Sequence, residues 1–223
     1  MTRISRRFAR FVAIGLFGSV SLAAGAQTTI DFDALSGMPN LGLTVPGASQ
    51  LGNGLQATTG ATFASSSGVP YVAVVNLGAG HATSGTNGIG GVNGGGILDY
   101  SVAIEVSFSI PGSPNRRAVT GSVSIRGDQL NGAGSATLTA FDAAGTQIGS
   151  TTTADIAGGL TLSLSASGIH RVRITTTEPT IALDDLTFGV LVPAPPVSVP
   201  TLGDAALALL ALLLAAASMR AIA

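Results

Sequence analysis

The sequence has no cysteine, no tryptophan and no lysine, and charged residues make up only 9% of it. Without cysteine there is no disulfide, no thiolate metal site and no thiol redox centre. Without lysine a Walker-type phosphate loop is excluded, and no G-x-G-x-x-G or G-x-S-x-G stands in its place. Aromatic residues are scarce, and with Tyr71 and Tyr100 as the only tyrosines there are few stacking platforms for bases or sugars. Between Gln27 and Pro196 five arginines face ten carboxylates, a net charge of −5. Such a segment has no basic stripe to neutralise a phosphate backbone, so nucleic acid is excluded as a partner.

What the sequence does have is glycine, 31 residues of it, set among Thr, Ser, Val, Leu and Ala. Branched residues fit a pleated surface and glycine supplies turn dihedrals, so the composition points to short strands and many turns. With both ends set aside, about 170 of the 223 residues remain, enough for one domain around one core.

The ends differ from the middle. Arg3, Arg6, Arg7 and Arg10 precede an apolar run from Phe11 to Ala23, and Ala24-Gly25-Ala26 follows with small side chains. This is the order of a secretory signal, with cleavage by signal peptidase after Ala26 and residues 1–26 removed. At the other end a Pro-rich stretch, 191–198, reads as a stiff extended linker. Val199-Pro200-Thr201-Leu202 comes next, then an apolar run and Arg220. Ala and Leu favour a helix over 205–219, about 22 Å long against a hydrocarbon core of ~30 Å, with Arg220 on the cytoplasmic side.

This C-terminal arrangement resembles the sorting signals of exosortase-type substrates in the variant whose signature is Ile-Pro-Thr-Leu, here Val199-Pro200-Thr201-Leu202. The resemblance covers residues 199–223 and implies anchoring in the inner membrane, with an exosortase-type enzyme as processing partner. Gly203-Asp204 replaces the acidic-aromatic pair often found after the motif, and the usual basic cluster shrinks to Arg220.

Between residues 27 and 190 the main signal is alternation. Val102, Ile104, Val106, Phe108 and Ile110 are apolar, and the residues between them are small or polar, which is the pattern of a half-buried strand. Pro111 to Asn115 reads as a turn. Further strands are predicted over 119–125, 136–141, 160–166, 172–176 and 181–190, divided by Gly- and Pro-containing turns. The expected fold is therefore all-β, an antiparallel sandwich with Phe32, Ile104, Phe108, Val123, Leu138, Leu162, Ile174, Leu186 and Phe188 in one core. From Gly78 to Gly96 little can pack, and a long surface loop is expected. Ile30 to Leu35, His81 to Asn87, Thr137 to Gly145 and Ile181 to Phe188 resemble segments of the jelly-roll domains common among exosortase-sorted proteins, themselves similar to galactose- and carbohydrate-binding modules.

Candidate chemistry is sparse. Asp184 shares the parity of Ala182, Leu186 and Phe188, so it should face inward and need a partner. The resemblance implies a structural Ca²⁺ site joining Asp184 to Asp31 and Asp33, while bonds to backbone amides or an arginine are the alternative. Asp184 and Asp185 are neighbours on a strand and should face opposite ways, which argues against a glycosidase pair. Arg171, Arg173 and Arg126 are candidates for a small cationic spot for acidic polysaccharide, with solvated surface charge as the plainer reading. His81 and His170 read as surface or turn residues. The sequence thus suggests an exported, non-catalytic envelope or matrix protein, inner-membrane anchored with its sandwich outside. The alternative is an exopolysaccharide-binding module with a groove near Tyr71 and Tyr100, and a glycan-active enzyme comes third.

Overall fold

The computed structural model describes residues 26–40, 42–129, 134–154, 159–177 and 181–196. In chain order the strands are β1 (Thr28–Ile30), β2 (Met38–Pro39), β3 (Gln50–Leu51), β4 (Ala61–Ser65), β5 (Val72–Asn76), β6 (Asn87–Gly90) and β7 (Ile104–Ile110). They continue as β8 (Ser113–Gln129), β9 (Ser135–Phe141), β10 (Gln147–Ala154), β11 (Leu160–Ile169), β12 (Arg171–Thr176), β13 (Ile181–Phe188) and β14 (Val192–Pro193). One helical turn, α1 (Gln56–Thr59), precedes β4. The fold is all-β and jelly-roll-like, and every strand pair is antiparallel except the short β2–β5 contact.

Two layers form. One has the order β10-β9-β12-β7-β4. The other runs β11-β8-β13-β6-β5, with β1 added to β13 and β2 and β3 added to β5. The layers are joined by β8, which leaves a hairpin with β7 at Ser109↔Arg117 and ends between β11 and β13. A strand of 17 residues that changes sheet closes the corner of a sandwich. The turn predicted over 111–115 is correspondingly shorter. Only Pro111 and Gly112 lie outside strands, because Gly112 at φ 71° makes the reversal alone.

All nine core residues expected from alternation are buried in a single cluster. Phe108 of one layer meets Phe188 of the other with ring centroids 4.9 Å apart, and Phe32 meets Phe63 edge-on at 5.8 Å. The expectation of one core needs correction. A second cluster gathers Met38, Val45, Ala73, Val75, Leu77, Val92, Leu98 and Ala182, with Tyr71 and Tyr100 half-buried against it. β5 separates the two clusters: Val72 and Val74 face the main core while Ala73 and Val75 face the second.

No strand was predicted at β1 to β6, β10 or β14, and β6 and β10 show why. β6 lies within the stretch expected to be a loop, yet all four of its residues are buried. Its glycines replace packing with close approach: a Cβ on Gly88 would stand 2.7 Å from the Leu183 carbonyl oxygen, and one on Gly90 would stand 2.7 Å from the Tyr100 ring. β10 carries a Ser-Thr-rich sequence without alternation and lies at a sheet edge. There Thr152 and Ser150 exchange hydroxyl contacts with Thr137 and Thr139 at 2.7 and 3.4 Å. The front of the expected linker is not free either, since β14 pairs with Ala118 and Val119 of β8.

Candidate functional site

The carboxylates that stood out in the sequence converge on one loop. Between β5 and β6 the chain runs through His81 to Thr86 without regular structure, and three acids hold it. From one side, Asp33 accepts hydrogen bonds from the backbone amides of Thr86 at 2.9 Å and Asn87 at 3.1 Å. Gly85, at φ 46°, lies so close to that carboxylate that any Cβ would collide with it. From the other side, Asp184 accepts the Ser84 amide at 2.9 Å. The Thr83 hydroxyl is 3.1 Å from Asp184 and 2.9 Å from Asp185, and the Ser84 hydroxyl is 3.2 and 2.8 Å from the same two side chains.

Adjacent residues of a regular strand would not share one loop in this way. β13 carries a bulge between Asp184 and Thr187 opposite β8, and Asp185 sits there at φ 46°, in the left-handed region that Asp tolerates. The extra residue turns Asp185 to the side of Asp184, so the expectation that the two face opposite ways is corrected. Asp184 is 1% exposed. Burial pushes its carboxyl up, reinforced by the charge of Asp185 and opposed by the hydrogen bonds from Ser84, Asp185 and Thr83. Asp185 is tied outward to Arg126 at 3.2 Å.

The three acids considered for Ca²⁺ do not gather as one set. Asp31 accepts the Asp33 amide at 3.3 Å, Asp33 holds one part of the loop and Asp184 another. Among the described residues no group of three or more His, Cys, Asp or Glu is placed to hold an ion. Both oxygens of Asp184 accept hydrogen bonds, Oδ2 from Thr83 and Ser84 and Oδ1 from the Asp185 amide.

Tyr71 and Tyr100 both pack against the second cluster and touch different glycines: a Cβ on Gly96 would stand 3.4 Å from the Tyr71 hydroxyl and one on Gly90 2.7 Å from the Tyr100 ring. The Tyr100 hydroxyl donates to Asn40 at 2.7 Å beside a cleft of about 240 Å³ lined by Asn40, Gly42, Leu98, Asp99 and Tyr100. Burial raises the Tyr100 hydroxyl's pKa above its ordinary value. The three arginines do not form one spot: Arg126 is on the layer of β13, while Arg171 and Arg173 share the outer face of β12 and both bind Glu105, Arg171 at 3.0 Å. The Arg171 guanidinium also lies 4.2 Å over the Phe141 ring. His81 is exposed, and His170 is half-buried with Nδ1 2.9 Å from the Ala118 carbonyl oxygen.

Of the terminal residues singled out in the sequence, Ala26 is exposed; Ala24, Val199, Pro200, Thr201, Leu202 and Arg220 lie outside the described residues. Among the described residues no helix is long and apolar enough to cross a membrane.

Comparison with known proteins adds the following. Residues 197–222 match the IPTL-CTERM motif, which includes the Pro-Thr-Leu signature at Pro200 to Leu202. No curated protein matches the chain. Among solved structures, the K2 cleaved adhesin domain of Lys-gingipain is similar over 74% of this chain and 100% of its own, at 14% identity and a TM-score of 0.39. A family 22 carbohydrate-binding module of Clostridium thermocellum Xyn10B is similar over 65% of this chain and 97% of its own, at 14% identity and a TM-score of 0.35. A family 61 module solved with β-1,4-galactotriose covers 64% of this chain and 94% of its own, at 13% identity and a TM-score of 0.34.

Proposed function

We propose that this chain is a non-catalytic envelope or matrix protein that displays its sandwich outside the cell. The observation that carries the proposal is the sorting motif matched at 197–222, behind a proline-rich spacer that leaves the sandwich at β14. In this reading signal peptidase removes residues 1–26, the helix at 205–219 lies in the inner membrane with Arg220 inside, and an exosortase-type enzyme acts at Val199 to Leu202. The N-terminal signal and the C-terminal arginine then specify the same topology. Deleting Leu202 to Ala223 should move the protein from the membrane fraction to the soluble exported fraction. Retention of the truncated chain in the membrane fraction would overturn the proposal.

A second reading, that the displayed sandwich binds exopolysaccharide, is favoured by the outer face of β4, β7, β9 and β12. There Thr62, Ser107 and Thr139 stand in register with Arg171 and Arg173. Hydroxyls and guanidinium groups on a flat sheet are complementary to sugar hydroxyls and acids.

A further inference from the structure

The described cations are unevenly placed. Arg117 and Arg171 stand with the His170 ring around one end of the β4–β7–β12 face, with Arg173 two residues further along β12, in a segment whose net charge is −5. A cavity of about 280 Å³ opens there, lined by Thr62, Ser107, Ser109, Pro114, Arg117 and His170 together with an edge of Phe108. Ladder register sets Thr62 beside Ser107 and Ser107 beside Arg171, so Arg171 adjoins the cavity on the same sheet.

The bonding state of these groups matters more than their number. Ser109 is engaged, since its hydroxyl accepts from the Gln56 side chain at 2.9 Å and lies 3.3 Å from the Gly60 carbonyl oxygen. Thr62 and Ser107 hydroxyls have no hydrogen-bond partner among the described residues. The Ala118 carbonyl only accepts, so His170 Nδ1 carries a hydrogen and Nε2 is the nitrogen left for a ligand. One Arg117 Nη1 donates to the Ala143 carbonyl at 2.9 Å, which steadies an otherwise exposed guanidinium and leaves its other donors open. One oxygen of Glu105 takes both Arg171 and Arg173, and Asp142, beside the Ala143 carbonyl that Arg117 reaches, accepts the Ala144 and Thr146 amides, so three arginines against two acids leave the local balance positive.

We propose that this cavity binds a carboxylate-bearing sugar residue of an acidic polysaccharide. The acid meets Arg117, whose planar fork suits a carboxylate, and ring hydroxyls meet Thr62, Ser107 and His170 Nε2. The cavity is close to the lower end of ligand-site volumes, about 300 Å³, which suits one sugar unit rather than an oligomer. Repulsion from the acidic remainder of the domain directs a polyanion to this end. The inference deepens the exopolysaccharide reading and rests on it.

The test is binding of the purified full-length chain to polygalacturonate, neutral galactan and dextran sulfate. Polygalacturonate should bind, Arg117→Gln should weaken it about tenfold, and Thr62→Val should weaken it about threefold, on the scale of charged and neutral hydrogen bonds. Arg116→Gln removes the same charge from the neighbouring position of β8, outside the cavity lining, and should leave binding unchanged. Equal weakening by Arg116→Gln, or dextran sulfate binding that matches polygalacturonate, would mean unspecific charge attraction and overturn the inference. Binding of galactan alone would overturn the acidic ligand and leave the exopolysaccharide reading standing; binding of neither polysaccharide would remove both.

Discussion

From Ile104 to Phe188 the sandwich is built of strands of six to 17 residues, among which β7, β9 and β11 alternate, whereas from Thr28 to Tyr100 it is built of strands of two to five residues joined by long loops. The first region is held by side chains of two layers meeting in the main core. The second shares that core through Phe32, Phe63, Val72, Val74 and Ile89, supplies the second cluster except for Ala182, and adds polar side chains on backbone groups: Asp33 on the Thr86 and Asn87 amides, Asn87 on the Leu35 carbonyl, Ser65 on the Val92 amide and Asp99 on the Ser101 amide. Burial is non-directional and tolerates shape-preserving change, while such hydrogen bonds need one residue type at one place. One chain thus contains two ways of specifying structure.

The strongest way to break that comparison is to remove a packed ring. Phe108→Ala deletes a side chain 1% exposed that touches Phe188 across the layers, and it should cost about 3–5 kcal/mol in denaturant unfolding. Asp33→Ala should cost less, about 1–3 kcal/mol, because it leaves two amides without acceptors but opens no core. Its distinguishing sign is faster proteolysis between His81 and Thr86. A loss as large as that of Phe108→Ala would mean that the loop is part of the main cooperative core.

The smallest effect concerns pH. Burial raises the folded-state pKa of Asp184 above its ordinary 3.8, so the native protein holds that proton more tightly than the unfolded chain. Its contribution is complete below 3.8 and is lost as pH rises through the folded-state value. Between about pH 3 and pH 7 the wild type should therefore lose more melting temperature than Asp184→Asn, whose side chain does not titrate. Identical slopes would show that the loop's hydrogen bonds outweigh the desolvation of Asp184.

The alternating region was open to sequence reading because a period of two, repeated over five or more residues, has one buried solution. Ile104, Phe108, Val123, Leu138, Leu162, Ile174, Leu186 and Phe188 could be assigned to the core on that ground, and all are buried. β6 was not open to it. Asn87-Gly88-Ile89-Gly90 contains a single apolar side chain, and what makes it a strand is the space left for glycine between Leu183 and Tyr100. Thr120 shows the same limit. With Val123 and Ile125 inward a period of two places it outward, yet it is 2% exposed where β8 pairs with Ile169 beyond a register shift in β11.

The sequence by itself determined the all-β class, the main core, the exclusion of thiol and Walker-type chemistry, and the C-terminal sorting motif. Each of these depends on residue type, local period or a short contiguous pattern. The tertiary structure alone decided that Asp184 and Asp185 share one loop, since a bulge in β13 overrides the parity of a regular strand. It also decided that Arg126 is separated from Arg171, and that Arg117 and His170 join Thr62 and Ser107 instead. Those groupings depend on which strands lie side by side and where β8 bends, quantities set by the packing of the whole sandwich and encoded in no local stretch of the chain.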